Sequence, residues 1–442
     1  MKIQLSEHFT YAKLMRFTLP SIVMLVFSSI YGVVDGFFVS NFVGKTAFTA
    51  VNFIMPVLMI LGAAGFMFGT GGGALIAKTM GEGDDRRANR LFSLIVYTSV
   101  GCGVVLAAVG LLVLRPLAAA LGAEGQMLED CVTYGRVLLP AIPAYLLQYE
   151  FQCLFVTAEK PNLGLGVTVA AGLTNMVLDA LFVAVLPFGL VGAAAATALS
   201  QCVGGILPLL YFARPNSSRL RLGAARWDGR ALFKTCTNGS SELMSNISMS
   251  LVSMLYNIQL LRYAGQDGIA AYGVLMYVSM IFQAMFIGYS VGTAPVVSYH
   301  YGAGGRAELR SLLRKSAVVI TGFAAAMFLA ARLLADPLSR LFVGYDPAVL
   351  AMTRHAFAIF SFCFLFSGYA IFGSSFFTAL NDGLVSAAIS FLRTLVFQIL
   401  CVLIFPLFWQ VDGIWVSLVT AEAMAVVVTL VFLRAKQQKY GY

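Results

Sequence analysis

Charged residues are scarce in this sequence. Of its 442 residues only 11 % are Asp, Glu, Lys or Arg, whereas 60 % are hydrophobic. A soluble domain carries about 25 % charged and about 45–50 % apolar residues. So few charges could not cover a water-facing surface, which excludes a soluble enzyme of this length. The same shortage excludes a disordered chain, and we expect no nucleic-acid partner.

Residue patterns that bind metals, cofactors or nucleotides are also missing. The three histidines are far apart along the chain, and the seven cysteines are scattered without a CxxC pair. We therefore expect reduced, buried cysteines and no metal site. Gly44-Lys45-Thr46 ends like a phosphate-binding loop, but Val39 stands where that motif needs its first glycine. The sequence thus predicts no cofactor and no ATP-driven motor.

Twelve long apolar runs make up most of the chain, from 14–40 at one end to 413–433 at the other. A helix needs about 20 apolar residues to cross a hydrocarbon layer of ~30 Å. Alternation with a period of two residues is absent, which argues against a membrane β-barrel. The runs predict an all-α membrane protein with twelve transmembrane helices.

The positive charges indicate how these helices are oriented. With the N-terminus inside, 21 of the 29 Lys and Arg residues lie on the inner side and 7 on the outer side. Because positive residues concentrate in cytoplasmic loops, we expect a multi-pass protein of the plasma membrane with both termini in the cytoplasm. This distribution also accounts for the net charge of +9 without an acidic partner.

The two halves of the chain resemble each other. An offset of 221 residues, half of 442, superimposes several landmarks in the same order. Six helices in each half imply parallel repeats, related by an axis along the membrane normal. We predict two pseudo-symmetric six-helix bundles, with an N-terminal lobe at 1–213, a cytoplasmic linker at 214–235 and a C-terminal lobe at 236–442. The matching landmarks include Gly81 with Gly302, Gly83 with Gly304, and Gly192 with Gly413.

Ionisable groups inside a membrane are costly and are candidates for function. Asp35 in the first span and Asp179 in the fifth lie at similar depths, given a rise of about 1.5 Å per residue. Asn175 shares a helix face with Asp179, and Thr197 lies near the same level in the sixth span. Two carboxylates, an amide and a hydroxyl could bind a proton or Na⁺ through oxygen, although a purely structural polar cluster is the alternative. Pro20, on the same helix as Asp35, could let ion occupancy bias a bend, or it could mark a static kink.

A second polar group lies in the seventh span. Glu242 and Asn246 could bind a second cation or a cationic substrate, or Glu242 could simply bond the first turns of its helix. Met276 and Met280 belong to a set of methionine and aromatic residues that suits either a promiscuous cavity or ordinary packing. Glu150, Arg393 and Glu422 are also intramembrane, and the sequence leaves open whether they pair.

These features together resemble the multidrug and toxic compound extrusion (MATE) transporters, most closely the prokaryotic branch with DNA-damage-inducible-type members. The resemblance covers essentially the whole chain. It implies a cation site at Asp35, Asn175, Asp179 and Thr197, and a bending role for Pro20. A second branch has a glutamate where this chain has Asn246 and an aspartate in span 10, which is missing here. The segments that carry the resemblance are DGFFVSNFVG from Asp35, NMVLD ending at Asp179, GLVGAAAATALSQ and GIWVSLVTAE.

The expected function is therefore export of small, organic, cationic drugs by antiport with H⁺ or Na⁺ through alternating access, by a protein that we expect to be a monomer in the bilayer. A flippase for a lipid-linked precursor is the alternative, although it would favour a more cationic cavity. A receptor or membrane enzyme lacks support, since no nucleophile–base pair or catalytic domain is present.

Overall fold

The protein is an assembly of long helices. The computed structural model describes residues 3–344 and 346–442, and only the backbone at 36–37, 40–41, 45–46, 48–49 and 52. The α-helices are α1 (Tyr11–Phe38), α2 (Lys45–Gly81), α3 (Asp85–Ala120), α4 (Gly125–Leu138), α5 (Ile142–Thr157), α6 (Pro161–Asp179), α7 (Gly189–Ala213), α8 (Gly229–Gly302), α9 (Arg306–Val343), α10 (Pro347–Phe360), α11 (Phe364–Ala379), α12 (Gly383–Phe391), α13 (Phe397–Ile404) and α14 (Pro406–Tyr440).

Ten helical stretches among the described residues are long and apolar enough to cross a membrane. One of them, α8, has 74 residues and is broken at Gly265, whose φ of 68° lies in the left-handed region that glycine tolerates. It therefore supplies two spans, 229–264 and 266–302. Helices α4 and α5 form another span across a 3₁₀ turn that contains Pro140. The described chain thus has twelve spans, six in each half, which confirms the predicted fold class.

The connection between the two halves is partly helical. Helix α7 ends at Ala213, and α8 begins at Gly229 after Asp228, whose carboxylate accepts a hydrogen bond of 3.1 Å from the amide of Ala231. The non-helical stretch is therefore 214–228, and the rest of the predicted linker is the first turns of α8. The lobe boundaries themselves stay a prediction.

Three apolar cores show how the halves meet. We call the side of the molecule that carries both termini the terminal face, and the other side the opposite face. At the terminal face one core joins both halves, with Phe92 and Phe151 from the first half and Phe286 and Phe376 from the second. At the opposite face each half has its own core, around Tyr134 in the first and Trp415 in the second. The two halves are therefore packed together at the terminal face and separate at the opposite one.

Glycines bring the halves into backbone contact at the terminal face. A Cβ on Gly81 would lie 2.0 Å from the carbonyl oxygen of Tyr299, and one on Gly302 would lie 2.0 Å from that of Lys78. The two contacts are equivalent in the repeat, because adding 221 to Gly81 gives Gly302 and subtracting 221 from Tyr299 gives Lys78. Gly71 against Gly239 and Gly292 against Thr18 form a second such pair. Reciprocal contacts of this kind are those of a pseudo-two-fold axis between parallel repeats.

Gly71→Leu is expected to open the terminal face. A Cβ there would meet the carbonyl oxygen of Thr235 at 2.1 Å and the amide nitrogen of Gly239 at 2.6 Å, and these backbone atoms cannot rotate away. Overpacking of this kind costs about 1–3 kcal/mol, all of it in the closed arrangement. Dipolar broadening of continuous-wave electron paramagnetic resonance spectra, from spin labels at positions 82 and 303 in a cysteine-free background, should decrease and so report longer distances. Gly101→Leu is the control, because nothing lies within 4 Å of its Cβ; equal distances in both variants would contradict the prediction.

Candidate functional site

Asp35 and Asp179 lie side by side in the first half. Asp35 is 7 % exposed and Asp179 fully buried. The hydroxyl of Thr197 donates a hydrogen bond of 3.4 Å to Oδ1 of Asp35, and the side chains of Asp179 and Asn175 adjoin the same carboxyl group. The structure thus brings together the four residues that the sequence singled out, although their role as a cation site stays a prediction.

Local helix geometry positions these side chains. Asp35 lies in the last turn of α1, directly before a π-helical turn at Val39–Val43, and Asp179 ends α6 directly before another at Ala180–Val185. Helix α7 begins at Gly189 with a φ of 60°, and Thr197 follows two turns later. Single π-helical turns are rare and frequent at functional sites. Both carboxylates therefore lie where regular helix gives way, toward the opposite face.

The site is short of hydrogen-bonding partners. Both carboxylate oxygens of Asp179 and Nδ2 of Asn175 are buried and make no hydrogen bond to another described residue. A buried, unpaired carboxylate is costly, and two that adjoin each other repel. A shared proton or a bound monovalent cation would reduce the charge of the pair from −2 to −1 and relieve the repulsion between the two carboxylates. No three His, Cys, Asp or Glu side chains come together as a metal site anywhere in the described chain.

Sequence reasoning missed a tyrosine that completes this group. Tyr134 on α4 is fully buried, and its hydroxyl lies beside Thr197 and near both aspartates without a hydrogen bond to a described residue. A second polar group continues from Asp35 along α1, where Tyr31 accepts a hydrogen bond of 3.3 Å from Gln148. Tyr31 could have been predicted next to Asp35, because it lies four residues earlier and therefore on the same helix face. No residue in the span of Tyr134 indicates that its side chain faces the aspartates.

Pro20 lies at the contact between the halves and not beside the carboxylates. It is buried within α1, which continues as a helix through it. On either side of it, Thr18 and Ile22 lie close to Gly292 and Gly288 of α8. A proline leaves one backbone carbonyl of the helix without its usual donor. The position allows a hinge next to the interface, and the gating role of Pro20 stays a prediction.

Charges in the second half are paired. Arg393 donates a hydrogen bond of 2.8 Å from Nε to Oε2 of Glu422, and both side chains are at least 87 % buried. Glu242 lies within electrostatic range of the same guanidinium group. Arg393 is itself in a π-helical turn, Leu392–Val396. The second half therefore holds two carboxylates around one arginine, which leaves less unbalanced charge than the aspartate pair of the first half.

The other predicted members of a second site are dispersed. The amide of Asn246 donates to the backbone carbonyl of Glu242, one turn earlier in the same helix, at 2.8 Å. Met276 and Met280 lie beyond the break at Gly265; Met276 packs against the core of the second half, and Met280 is 40 % exposed. The structure thus adds no polar contact from these methionines to Glu242, and a second site there stays a prediction.

Glu150 is the remaining intramembrane carboxylate. It is fully buried on α5, and neither of its oxygens makes a hydrogen bond to a described residue. Ser99 of α3 lies next to it. Unlike Glu422, it has no positive partner among the described side chains, so its surroundings do not compensate a buried charge there.

Comparison with known proteins identifies the architecture. The MatE family model matches residues 20–181 and 243–404, two segments of equal length, one in each half. A solved structure described as the outward-facing conformation of a multidrug resistance MATE family transporter of the MOP superfamily superimposes with a TM-score of 0.93, covering 98 % of this chain and 97 % of the other at 22 % identity.

Two curated relatives are multidrug export proteins named MepA. The one from Staphylococcus aureus (strain MRSA252) is 22 % identical over 95 % of this chain and 92 % of its own length. The one from Staphylococcus haemolyticus (strain JCSC1435) is 25 % identical over 67 % of this chain and 65 % of its own length, so that match spans slightly less than two thirds of the relative. With a family model that covers both halves, this chain belongs to the MATE family of membrane transporters, and not to a family of enzymes.

Proposed function

We propose that this chain exports small organic cations by antiport with H⁺ or Na⁺. The observation that carries the proposal is the buried pair Asp35 and Asp179, which lacks a positive partner among the described residues. Thr197, Asn175 and Tyr134 add oxygen and amide groups around the pair. A proton needs one carboxyl group, whereas Na⁺ needs several oxygens; this group of side chains can serve either ion.

The ion drives transport in this proposal because it binds one conformation better than the other. A ligand shifts an equilibrium only by its differential affinity for the two states. The halves are closed at the terminal face and separate at the opposite face, so the aspartates belong to the state that is accessible from that side. Neutralising them would favour rearrangement of α1, which carries both Asp35 and the interface around Pro20.

Aromatic residues in the first half suit a flat, cationic substrate. Tyr145 and Tyr149 on α5 share a hydrogen bond of 3.2 Å, and the ring of Phe66 lies tilted against that of Tyr149 with centroids 4.5 Å apart. All three are partly exposed. Cations bind to the faces of such rings. That the relatives are multidrug export proteins supports export of small molecules, and the aromatic rings support a cationic one.

The proposal includes an orientation and an assembly state. Most Lys and Arg residues lie on the terminal face, so the positive-inside rule places both termini in the cytoplasm of a bacterial cell. The candidate site lies within one half of one chain, so a monomer is sufficient for transport.

The test uses purified protein in liposomes loaded with a fluorescent organic cation. Dye movement driven by a pH gradient alone would support proton antiport, and movement that requires a Na⁺ gradient would support Na⁺ antiport. If folded protein moves no dye under either gradient, the proposal is wrong; transbilayer movement of a fluorescent lipid-linked precursor under the same conditions would then favour the flippase.

A further inference from the structure

A groove between α9 and α14 at the terminal face combines charged and apolar surfaces. It has a volume of about 760 Å³. Arginines line the part near the ends of the helices at the terminal face, and aliphatic side chains of the membrane-spanning part of α14 line the deeper part. The arginines are Arg310, Arg314 and Arg434, and the aliphatic residues are Val427, Leu430 and Val431.

Among the side chains that the structure describes, the three arginines have no carboxylate partner. Arg310 and Arg314 are one turn apart on the same side of α9, and Arg434 faces them from α14. All three side chains are exposed. The ion pairs that arginines make elsewhere among the described residues do not involve them. Three free guanidinium groups around one groove favour an anionic occupant.

The depth of these residues matches the layers of a bilayer. Arg310 and Arg314 lie about 6 and 12 Å from the start of α9, taking 1.5 Å per residue, which is the level of lipid headgroups. Val427 is two turns deeper than Arg434 along α14, about 10 Å. Val427, Leu430 and Val431 are each more than half exposed. A molecule with a negative head and an apolar tail would contact both parts of the groove.

At the pseudo-symmetric position in the first half, the linker packs over α3 and leaves a smaller pocket of about 430 Å³, which Asn89 and Ser93 help to line. The 221-residue offset relates Arg310 to Asn89 and Arg314 to Ser93. There the linker docks onto α3: the amide of Arg221 donates to Oδ1 of Asn89 at 2.7 Å, and that of Gly223 donates to Oγ of Ser93 at 3.0 Å. In the second half, no described segment makes such bonds, and arginines replace the residues that hold the linker. The repeat thus has a groove that the linker partly covers in one half, and a larger groove with no linker across it in the other.

We propose that the groove between α9 and α14 binds one anionic phospholipid, with its phosphate on Arg310, Arg314 and Arg434 and an acyl chain along Val427, Leu430 and Val431. Basic pockets between membrane helices bind such headgroups. The lipid would bridge α9 and α14 where the linker bridges α3 and the end of α7.

Native mass spectrometry of the purified, full-length protein tests this with phosphatidylglycerol and phosphatidylcholine of identical acyl chains. The wild type should retain one phosphatidylglycerol more tightly than phosphatidylcholine. Each arginine near an anionic lipid contributes about fivefold in affinity, so the triple variant R310Q/R314Q/R434Q should lose at least about tenfold. Val427→Trp, which fills the apolar part and leaves the charge unchanged, should also weaken phosphatidylglycerol binding.

The matched control R86Q/R87Q/R230Q removes the same charge from exposed arginines at the terminal face outside the groove. It should bind phosphatidylglycerol as the wild type does. Equal losses in both triple variants would mean diffuse attraction and would overturn the proposal, as would a wild type without preference for phosphatidylglycerol. If excess inorganic phosphate displaces the lipid and Val427→Trp has no effect, the groove binds phosphate and the lipid assignment is wrong.

Discussion

Asp35→Asn and Asp179→Asn are each expected to reduce ion-driven export of an organic cation to the level of protein-free liposomes. Each change removes one carboxylate from a pair that has no positive partner among the described residues. An ion that no longer distinguishes the two conformations cannot shift their populations, however steep its gradient. Initial rates of dye movement under the active gradient are the measurement.

Both asparagine variants should remain folded, because they preserve side-chain shape and remove a buried like charge. Their melting temperatures in detergent should equal that of the wild type or exceed it. Asp267→Asn is the matched control, since Asp267 is exposed near the break in α8, and its transport should be unchanged. Wild-type rates in both Asp35→Asn and Asp179→Asn would remove the aspartate pair from the coupling mechanism.

The twelve spans and the first-half site could be predicted from the sequence for a simple reason. In a membrane protein, the number of apolar runs of about 20 residues gives the number of transmembrane helices, and the rise per residue gives the depth of each side chain. Asp35, Asn175, Asp179 and Thr197 were all predicted in the outer half of the first bundle, and residues at similar depths on neighbouring helices are those that can come into contact. The 221-residue offset predicted parallel repeats, and the reciprocal contacts of Gly81 and Gly302 are arranged as those repeats require.

Sequence reasoning failed where lateral packing or rotation about a helix decides the contact. Tyr134 joins the aspartates because α4 turns it inward, and nothing in its own span indicates that rotation. The helix that contains Glu242 begins before the apolar run of the seventh span, because Asp228 caps it and the polar residues around Lys234 already belong to it. Glu242 therefore lies more than three turns from the start of α8.

The pairing of Arg393 with Glu422 was likewise beyond the sequence. The two residues are 29 positions apart on different helices, and the sequence offers three intramembrane glutamates, Glu150, Glu242 and Glu422, as partners for one arginine. In the structure Arg393 forms an ion pair with Glu422, and Glu242 lies near the same guanidinium group. Glu150 lies in the other half and does not contact Arg393. The Arg393–Glu422 ion pair is therefore expected to contribute to the stability of the second half.

Glu422→Gln is expected to destabilise the protein strongly. Removing one partner of a buried ion pair leaves an uncompensated charge, at a cost of about 3–5 kcal/mol, and the nearby Glu242 favours the lower end of that range. Arg393→Met with Glu422→Leu should recover part of the loss, since apolar side chains replace the ion pair and only Glu242 then loses a nearby positive charge. Glu129→Gln is the matched control, because the Arg115–Glu129 pair is more than half exposed and should contribute less than about 1 kcal/mol. Melting temperatures in detergent are the measurement, and Glu422→Gln should melt well below Glu129→Gln. If the two variants have the same melting temperature, the prediction is wrong: Arg393 would then be compensated by water or by another anion, with Glu242 the nearest carboxylate.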